Sequence, residues 1–178
     1  MAADGKSCGD CSLCCKVMGV AEVQKAPGVW CRHFARGSGC GIYAARPASC
    51  RAFHCEWLMS GTLGPEWKPD KARFVLSWEQ EKQKLSIVVD PSQPTAWKRE
   101  PYFSKIRQWA ERGREDGTEV MVCINDRRIA VFADREVDLG VIDPDHKVIT
   151  GYARHEGELA PFAVVVSEEA VERRPNHF

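Results

Sequence analysis

The sequence has no net charge, no long apolar run and no recurring unit. Lys plus Arg and Asp plus Glu each number 25, and the pI is near 6.9. That balance argues against a chain that binds nucleic acid or a membrane surface over its whole extent; it leaves open only a local basic patch. No stretch approaches the roughly 20 apolar residues needed to span a bilayer. The opening Met1-Ala-Ala-Asp-Gly-Lys6 lacks a charged-then-apolar export pattern. A GxGxxG nucleotide loop is also missing, as is the CxxxCxxC spacing of radical enzymes that use S-adenosylmethionine. No paired acid–base or nucleophile motif stands out, so whether the chain is an enzyme stays open. These absences predict a cytoplasmic chain without a membrane span, whose partner, if it has one, is another protein.

What the sequence does have is cysteine. Eight of the nine cysteines fall between Cys8 and Cys55, opening with Cys8-Gly-Asp-Cys11-Ser-Leu-Cys14-Cys15. No helix or strand face buries consecutive positions together, so four thiols in eight residues are not explained by packing. Close thiolates hold soft or borderline metals. Four disulfides are the competing reading. Reduced thiols in the cytoplasm, and a remainder long enough to form its own core, favour metal.

Composition divides the chain at about residue 65. Residues 1–65 hold nine glycines and few regular patterns, as expected where ligation replaces a core. Val17 to Val23 reads as a short strand. Pro47 suits the first position of a helix that runs to Gly61, with Phe53/Trp57 and Cys50/His54 at i,i+4 spacing. Beyond residue 66, Phe74, Leu76 and Trp78, then Leu85, Ile87 and Val89, alternate around polar Gln80–Gln83 and predict a hairpin. Pro101 to Arg114 has helical spacing, with Tyr102, Ile106, Trp109 and Ala110 on one face. Val120–Ile124 and Ile129–Ala133 flank Asn125-Asp126-Arg127 as a second hairpin. Further short strands are expected at Val137–Ile142, Lys147–Ala153 and Phe162–Val166, with a charged, fraying tail from Glu168. The fold class expected is α+β: a metal-knit cysteine part, 1–65, packed as one unit with 66–178, an antiparallel β-sheet carrying one main helix.

Cys8, Cys11 and Cys14 repeat the two-residue separation that brings two sulfurs to one ion. Cys15 points elsewhere, so Cys14 and Cys15 are expected to serve different centres or different metals of one cluster. With Cys31, Cys40, Cys50 and Cys55 they make eight thiolates, enough for two four-sulfur centres. Zinc is the expected metal and an iron–sulfur cluster the alternative. Bacterial ferredoxins place their fourth cysteine after three intervening residues and before proline, whereas here Cys15 follows Cys14 at once and Lys16 comes next. Residues 1–60 carry seven Lys and Arg against four Asp and Glu, which offsets thiolate charge for either metal. His33 and His54 are expected near the sites or at the surface rather than as ligands. Arg46 and Arg51, flanking Cys50, either donate towards thiolate sulfur or are solvated helix-end residues. Cys123, between Val122 and Ile124, reads as a small core residue.

The run CxxCxxCC at Cys8–Cys15, with Trp30-Cys31, Cys40-Gly-Ile-Tyr43, Arg46-Pro47, Cys50-Arg51, Phe53 and Cys55-Glu-Trp57, resembles the YkgJ-like cysteine-cluster family. The resemblance covers about residues 8–57. It implies a zinc- or iron-chelating domain of bacterial type that uses all eight cysteines. Some larger members are similar to flagellin lysine N-methylases, which would place the chain in a protein-lysine methylation system.

Three functional classes follow. Closed four-cysteine sites with structural or sensing roles come first, because they leave no coordination position open for water. An iron–sulfur protein with an electron-transfer or redox role is second. Catalysis by Asp90, Asp126, Asp134, Asp138, Asp143, Asp145, His146 or His155 is third; most of these lie in turns, where Asp serves backbone hydrogen bonds. A nucleic-acid or protein adaptor would interleave aromatics with Lys and Arg, and Trp97-Lys98-Arg99 is a short instance.

Overall fold

A computed structural model describes residues 2–3, 5–155 and 157–167, so the expected tail from Glu168 lies outside the described residues. The chain is α+β. In the first third, regular elements are short: α1 (Cys14–Val17), a two-residue hairpin of β1 (Phe34–Ala35) and β2 (Gly39–Cys40), α2 (Ala48–Ala52) and α3 (Glu56–Met59). α4 (Pro69–Ala72) leads into β3 (Phe74–Glu79) and β4 (Lys84–Val89), which pair antiparallel as the alternation predicts. The main helix α5 (Tyr102–Asp116) follows, then β5 (Glu119–Ile124), β6 (Arg127–Val131) and β7 (Glu136–Val141). A long hairpin of β8 (His146–His155) and β9 (Glu158–Ser167) ends the described chain.

The central sheet has the order β3-β4-β5-β6-β7. Three of its pairings are antiparallel, but β4 and β5 run parallel, from Lys84↔Glu119 to Val88↔Cys123. The strand pattern of the sequence predicts an antiparallel sheet throughout. α5 is the reason for the difference: a helix between two strands carries the chain back over the sheet, which is what a parallel neighbour requires.

Both faces of the sheet are covered. Tyr102, Ile106 and Ala110, at i,i+4 spacing along α5, bury against Phe74, Leu76, Ile87, Val89, Val120 and Val122. Trp67, Phe74 and Tyr102 meet edge-on, with ring centroids 4.9–6.0 Å apart, a geometry that aligns ring edges with π faces. Truncating Ile106, 0% exposed, to Ala would cost about 2–5 kcal/mol. α5 ends where Gly113 passes so close to Thr118 that an added Cβ would sit 2.1 Å from its carbonyl oxygen. On the opposite face, Val75 packs with Leu13 and Val17 of the cysteine part. Met121, Ala130 and Phe132 pack there too, against Val148, Tyr152 and Ala163 of the β8–β9 hairpin.

The cysteine part shares these cores. Trp57, Leu58 and Leu63 belong to the same cluster as Phe74 and Tyr102, so packing continues across residue 65. Two local expectations are overturned. The strand expected over 17–23 is instead the end of α1 and a 3-10 turn at Ala21–Val23, with one bridge, Val20–Lys25, between them. Val17 is drawn into the core against Val75, which a helical turn allows and a surface strand does not. The helix expected from Pro47 is broken in two. Phe53 and Cys55 are extended, so Phe53 reaches the Leu13–Val17–Val75 cluster while Trp57 enters the main core.

Candidate metal centre

All nine cysteines are free thiols. Cys8, Cys11, Cys14 and Cys15 lie on a tight turn and on α1; the Cys11 amide donates to the Cys8 carbonyl at 2.9 Å. The Cys31 amide donates to the Cys15 carbonyl, also at 2.9 Å, and so fastens the second cysteine loop to α1. Cys40 sits opposite Phe34 in the β1–β2 ladder, and the Phe34 amide donates to the Cys31 carbonyl. Cys50 is on α2, and Cys55 precedes α3.

Electrostatic contacts sort these thiols into two neighbourhoods. Cys14 interacts with Cys11 and Cys8, and Cys55 with Cys8. Cys50 interacts with Cys15 and Cys31. Cys14 and Cys15, adjacent in the chain, are hydrogen-bonded to each other across the boundary. That bond, burial and the nearby sulfurs push the Cys14 thiol far above its ordinary value. The same bond lowers Cys15 to about 7 against the effect of burial, helped by the positive charges of Lys25 and Arg46. Burial raises Cys11, Cys50 and Cys55. Opposing it, main-chain amides of Leu13 and Asp70 donate towards Cys11, and those of Leu58 and Trp57 towards Cys55.

Lys25 lies beside the second neighbourhood and was missed by the sequence analysis. It is 9% exposed, and its ammonium donates to the carbonyls of Lys16 (2.9 Å), Ala26 (3.1 Å) and Met18. All three of its protons are therefore used, two on carbonyls at the C-terminal end of α1 and one on the carbonyl of the residue that follows Lys25. Burial lowers its pKa, while Cys31, Cys15, Cys14 and Cys50 act to raise it. Lys6 is a second such clamp, donating to the carbonyls of Trp57, Ser60 and Leu63 at 2.6–3.0 Å. The only hint in the sequence was that both lysines sit beside turns.

The donor set suits a thiophilic metal: eight thiols in one third of the chain, amide N–H groups aimed at sulfur, and a cation among them. Hydrogen bonds of this kind favour the thiolate form that a metal needs. Four sulfurs bonded at about 2.3 Å to one tetrahedral ion stand about 3.8 Å apart. Among the described residues no three of the eight sulfurs lie within 4.8 Å of one another. The thiols therefore stand farther apart here than the sulfurs of a closed four-thiolate site. Among the described residues the group that does meet this spacing is Asp143, Asp145 and His146, where the turn at 143–145 enters β8.

Comparison of the chain with family models, curated proteins and solved structures found no match.

His54 turns its Nδ1 to the Ala52 carbonyl at 3.0 Å. Arg46 donates to the Tyr43 carbonyl and its charge lowers the Cys15 thiol, and Arg51 is exposed on α2. Cys123, whose thiol is raised by burial, packs beside Met121, Ala130 and Phe132 as a core residue. Asp90 is no acid–base group in solvent: it is 1% exposed and accepts from Lys16, Arg73 and Ser92. Asp138 accepts from the Gly140 amide, the backbone role expected of such aspartates. A groove of about 660 Å³ lies between the α3–α4 segment and α5, lined by Glu56, Trp67, Trp109 and Arg112 among others, and no cysteine reaches it.

Proposed function

We propose that this chain is a metal-chelating cysteine-cluster protein, with zinc held by Cys8, Cys11, Cys14, Cys15, Cys31, Cys40, Cys50 and Cys55. The observation that carries the reading is the sorting of thiols around the Cys14–Cys15 pair. Cys8, Cys11, Cys14 and Cys55 form one set. Cys50, with Cys15 and Cys31 acting on it, forms the other, and in this reading Cys40, on the β1–β2 hairpin, completes it. Four thiolates close a tetrahedral site, so the role of such centres is structural or sensing. Free thiols of this density belong in a reducing compartment, the cytoplasm of a bacterial-type cell. No helix among the described residues is long and apolar enough to cross a membrane.

An iron–sulfur protein is the second reading, favoured by the ferredoxin-like Cys8, Cys11, Cys14 spacing. One measurement separates the two: zinc, iron and acid-labile sulfide determined together on protein purified without oxygen. About two zinc ions per chain without sulfide supports the first reading. Iron with matching sulfide replaces it with the second, and absence of all three sinks both.

A further inference from the structure

The zero net charge conceals a strong local asymmetry. Residues 23–55 contain Lys25, Arg32, Arg36, Arg46 and Arg51 and no Asp or Glu. Lys25 is turned inward, which leaves four arginines on this segment. Arg32, Arg36 and Arg51 are exposed, and among the described residues none of the three has a carboxylate partner.

The same segment carries two aromatic platforms at the surface. Trp30 is 44% exposed and stacks on Phe34 with centroids 4.0 Å apart and planes 16° from parallel. Tyr43 is 60% exposed, and the Arg46 guanidinium lies 3.7 Å from its ring centroid. Arg46 is held there by its own hydrogen bond to the Tyr43 carbonyl at 3.0 Å. Both platforms are tied to the surroundings of Cys15: Trp30 precedes Cys31, whose amide bonds the Cys15 carbonyl, and the Arg46 charge is felt at the Cys15 thiol. Lys16 adds its ammonium 5.8 Å from the Trp30 ring. The acids facing this surface are already engaged, Glu22 by Ser49 and Asp90 by Lys16, Arg73 and Ser92.

Exposed rings occur elsewhere on this chain, as at Trp78, but only here do two of them stand among arginines that have no carboxylate partner among the described residues. Flat rings take nucleobases by stacking, and guanidinium groups between them take phosphates. An acidic protein would satisfy the charges but leave the ring faces unused. We propose that the face formed by Trp30, Phe34, Tyr43 and Arg46, rimmed by Arg32, Arg36 and Arg51, binds single-stranded nucleic acid. Trp97-Lys98-Arg99, the interleaved run noted in the sequence, cannot serve, because Trp97 is 1% exposed. The proposal does not depend on which metal the cysteines hold.

The test is fluorescence anisotropy of labelled oligo(dT) and oligo(U) of about a dozen nucleotides, titrated with protein of measured metal content. Binding should weaken with added salt, as counterion release requires. Trp30→Ala and Tyr43→Ala should each weaken it about tenfold, whereas Tyr43→Phe, which keeps the ring, should bind as the parent does. Trp78→Ala, at an exposed ring near the far end of β3, should change nothing. Circular dichroism of each variant separates loss of binding from loss of fold. No binding at low salt, equal loss in Trp78→Ala, or competition by poly-glutamate as effective as by oligo(dT) would overturn the proposal. A metal-free protein that still binds the oligonucleotides would sink the metal reading and leave this one standing.

Discussion

Lys16 Nζ lies 2.6 Å from Asp90 Oδ1, joining the residue next to Cys15 to the residue that follows β4. The Asp90 carboxylate is buried and also accepts from Arg73 Nη2 at 3.2 Å and from the Ser92 hydroxyl at 2.7 Å. It is a polar tie between the cysteine part and the sheet, beside the apolar contact of Leu13 and Val17 with Val75.

Removing that carboxylate should loosen the two parts together. Asp90→Asn leaves Lys16 without its counter-ion, at a cost of about 3 kcal/mol, measured by urea unfolding. Burial alone would raise the Asp90 carboxyl, but the bonds from Lys16 and Ser92 and the Lys16 charge hold it below the usual range. Its stabilisation is therefore full above about pH 4, the unfolded value, and is lost as pH falls through the lower folded value. The acid limb of the stability curve should flatten in Asp90→Asn. An unchanged limb would show that the pair contributes nothing.

Lys25→Met should be costlier than its position in a loop suggests. The substitution leaves carbonyls of Lys16, Met18 and Ala26 without their donor. Unpaired buried carbonyls cost about 1–3 kcal/mol each where water cannot replace the donor, so a melting temperature lower by at least about 4 °C is expected. A melting curve superposable on the parent's would contradict the clamp.

Cys15 should be the first to react among the thiols whose ionisation is perturbed. With its pKa near 7, it is half thiolate at neutral pH, whereas Cys11, Cys14, Cys50, Cys55 and Cys123 are all pushed up. Brief iodoacetamide treatment of chelator-stripped protein, followed by peptide mass spectrometry from pH 6 to 9, should find Cys15 modified ahead of those five. Arg46→Gln should move its midpoint upward, since Arg46 is one of the two cations lowering it. Modification of Cys14 before Cys15 would reverse the assignment.

The two classes of cysteine should part on metal content. Cys11→Ser should lose bound metal and stability together. Cys123→Ser, in the β5 core beside Met121, should keep full metal content and lose at most about 1–2 kcal/mol for the buried hydroxyl. Equal metal loss in both, or in neither, would remove the basis for the eight-cysteine set.

Much of this molecule is legible without coordinates. Alternation at Phe74–Trp78 and Leu85–Val89, the 3.6-residue spacing of Tyr102, Ile106 and Ala110, and the turn at Asn125-Asp126 are local patterns, and local sterics and burial enforce them. The crowding of eight cysteines into residues 8–55 is likewise a property of the chain alone. Other features depend on residues far apart in sequence meeting in space. Val75 and Met121 interrupt the one-sided alternation because the sheet is covered on both faces, by α5 on one and by α1 and the β8–β9 hairpin on the other. The break at Phe53–Cys55 arises because Phe53 and Trp57 are claimed by different cores. Lys25 among the thiols, Lys16 on Asp90, and the exposed rings of Trp30 and Tyr43 carry no periodic signal, since a single charge or ring can point anywhere until the surrounding chain is placed. Sequence fixes which groups are available within a turn or two; only tertiary packing decides which of them share a dielectric, a counter-charge or a surface.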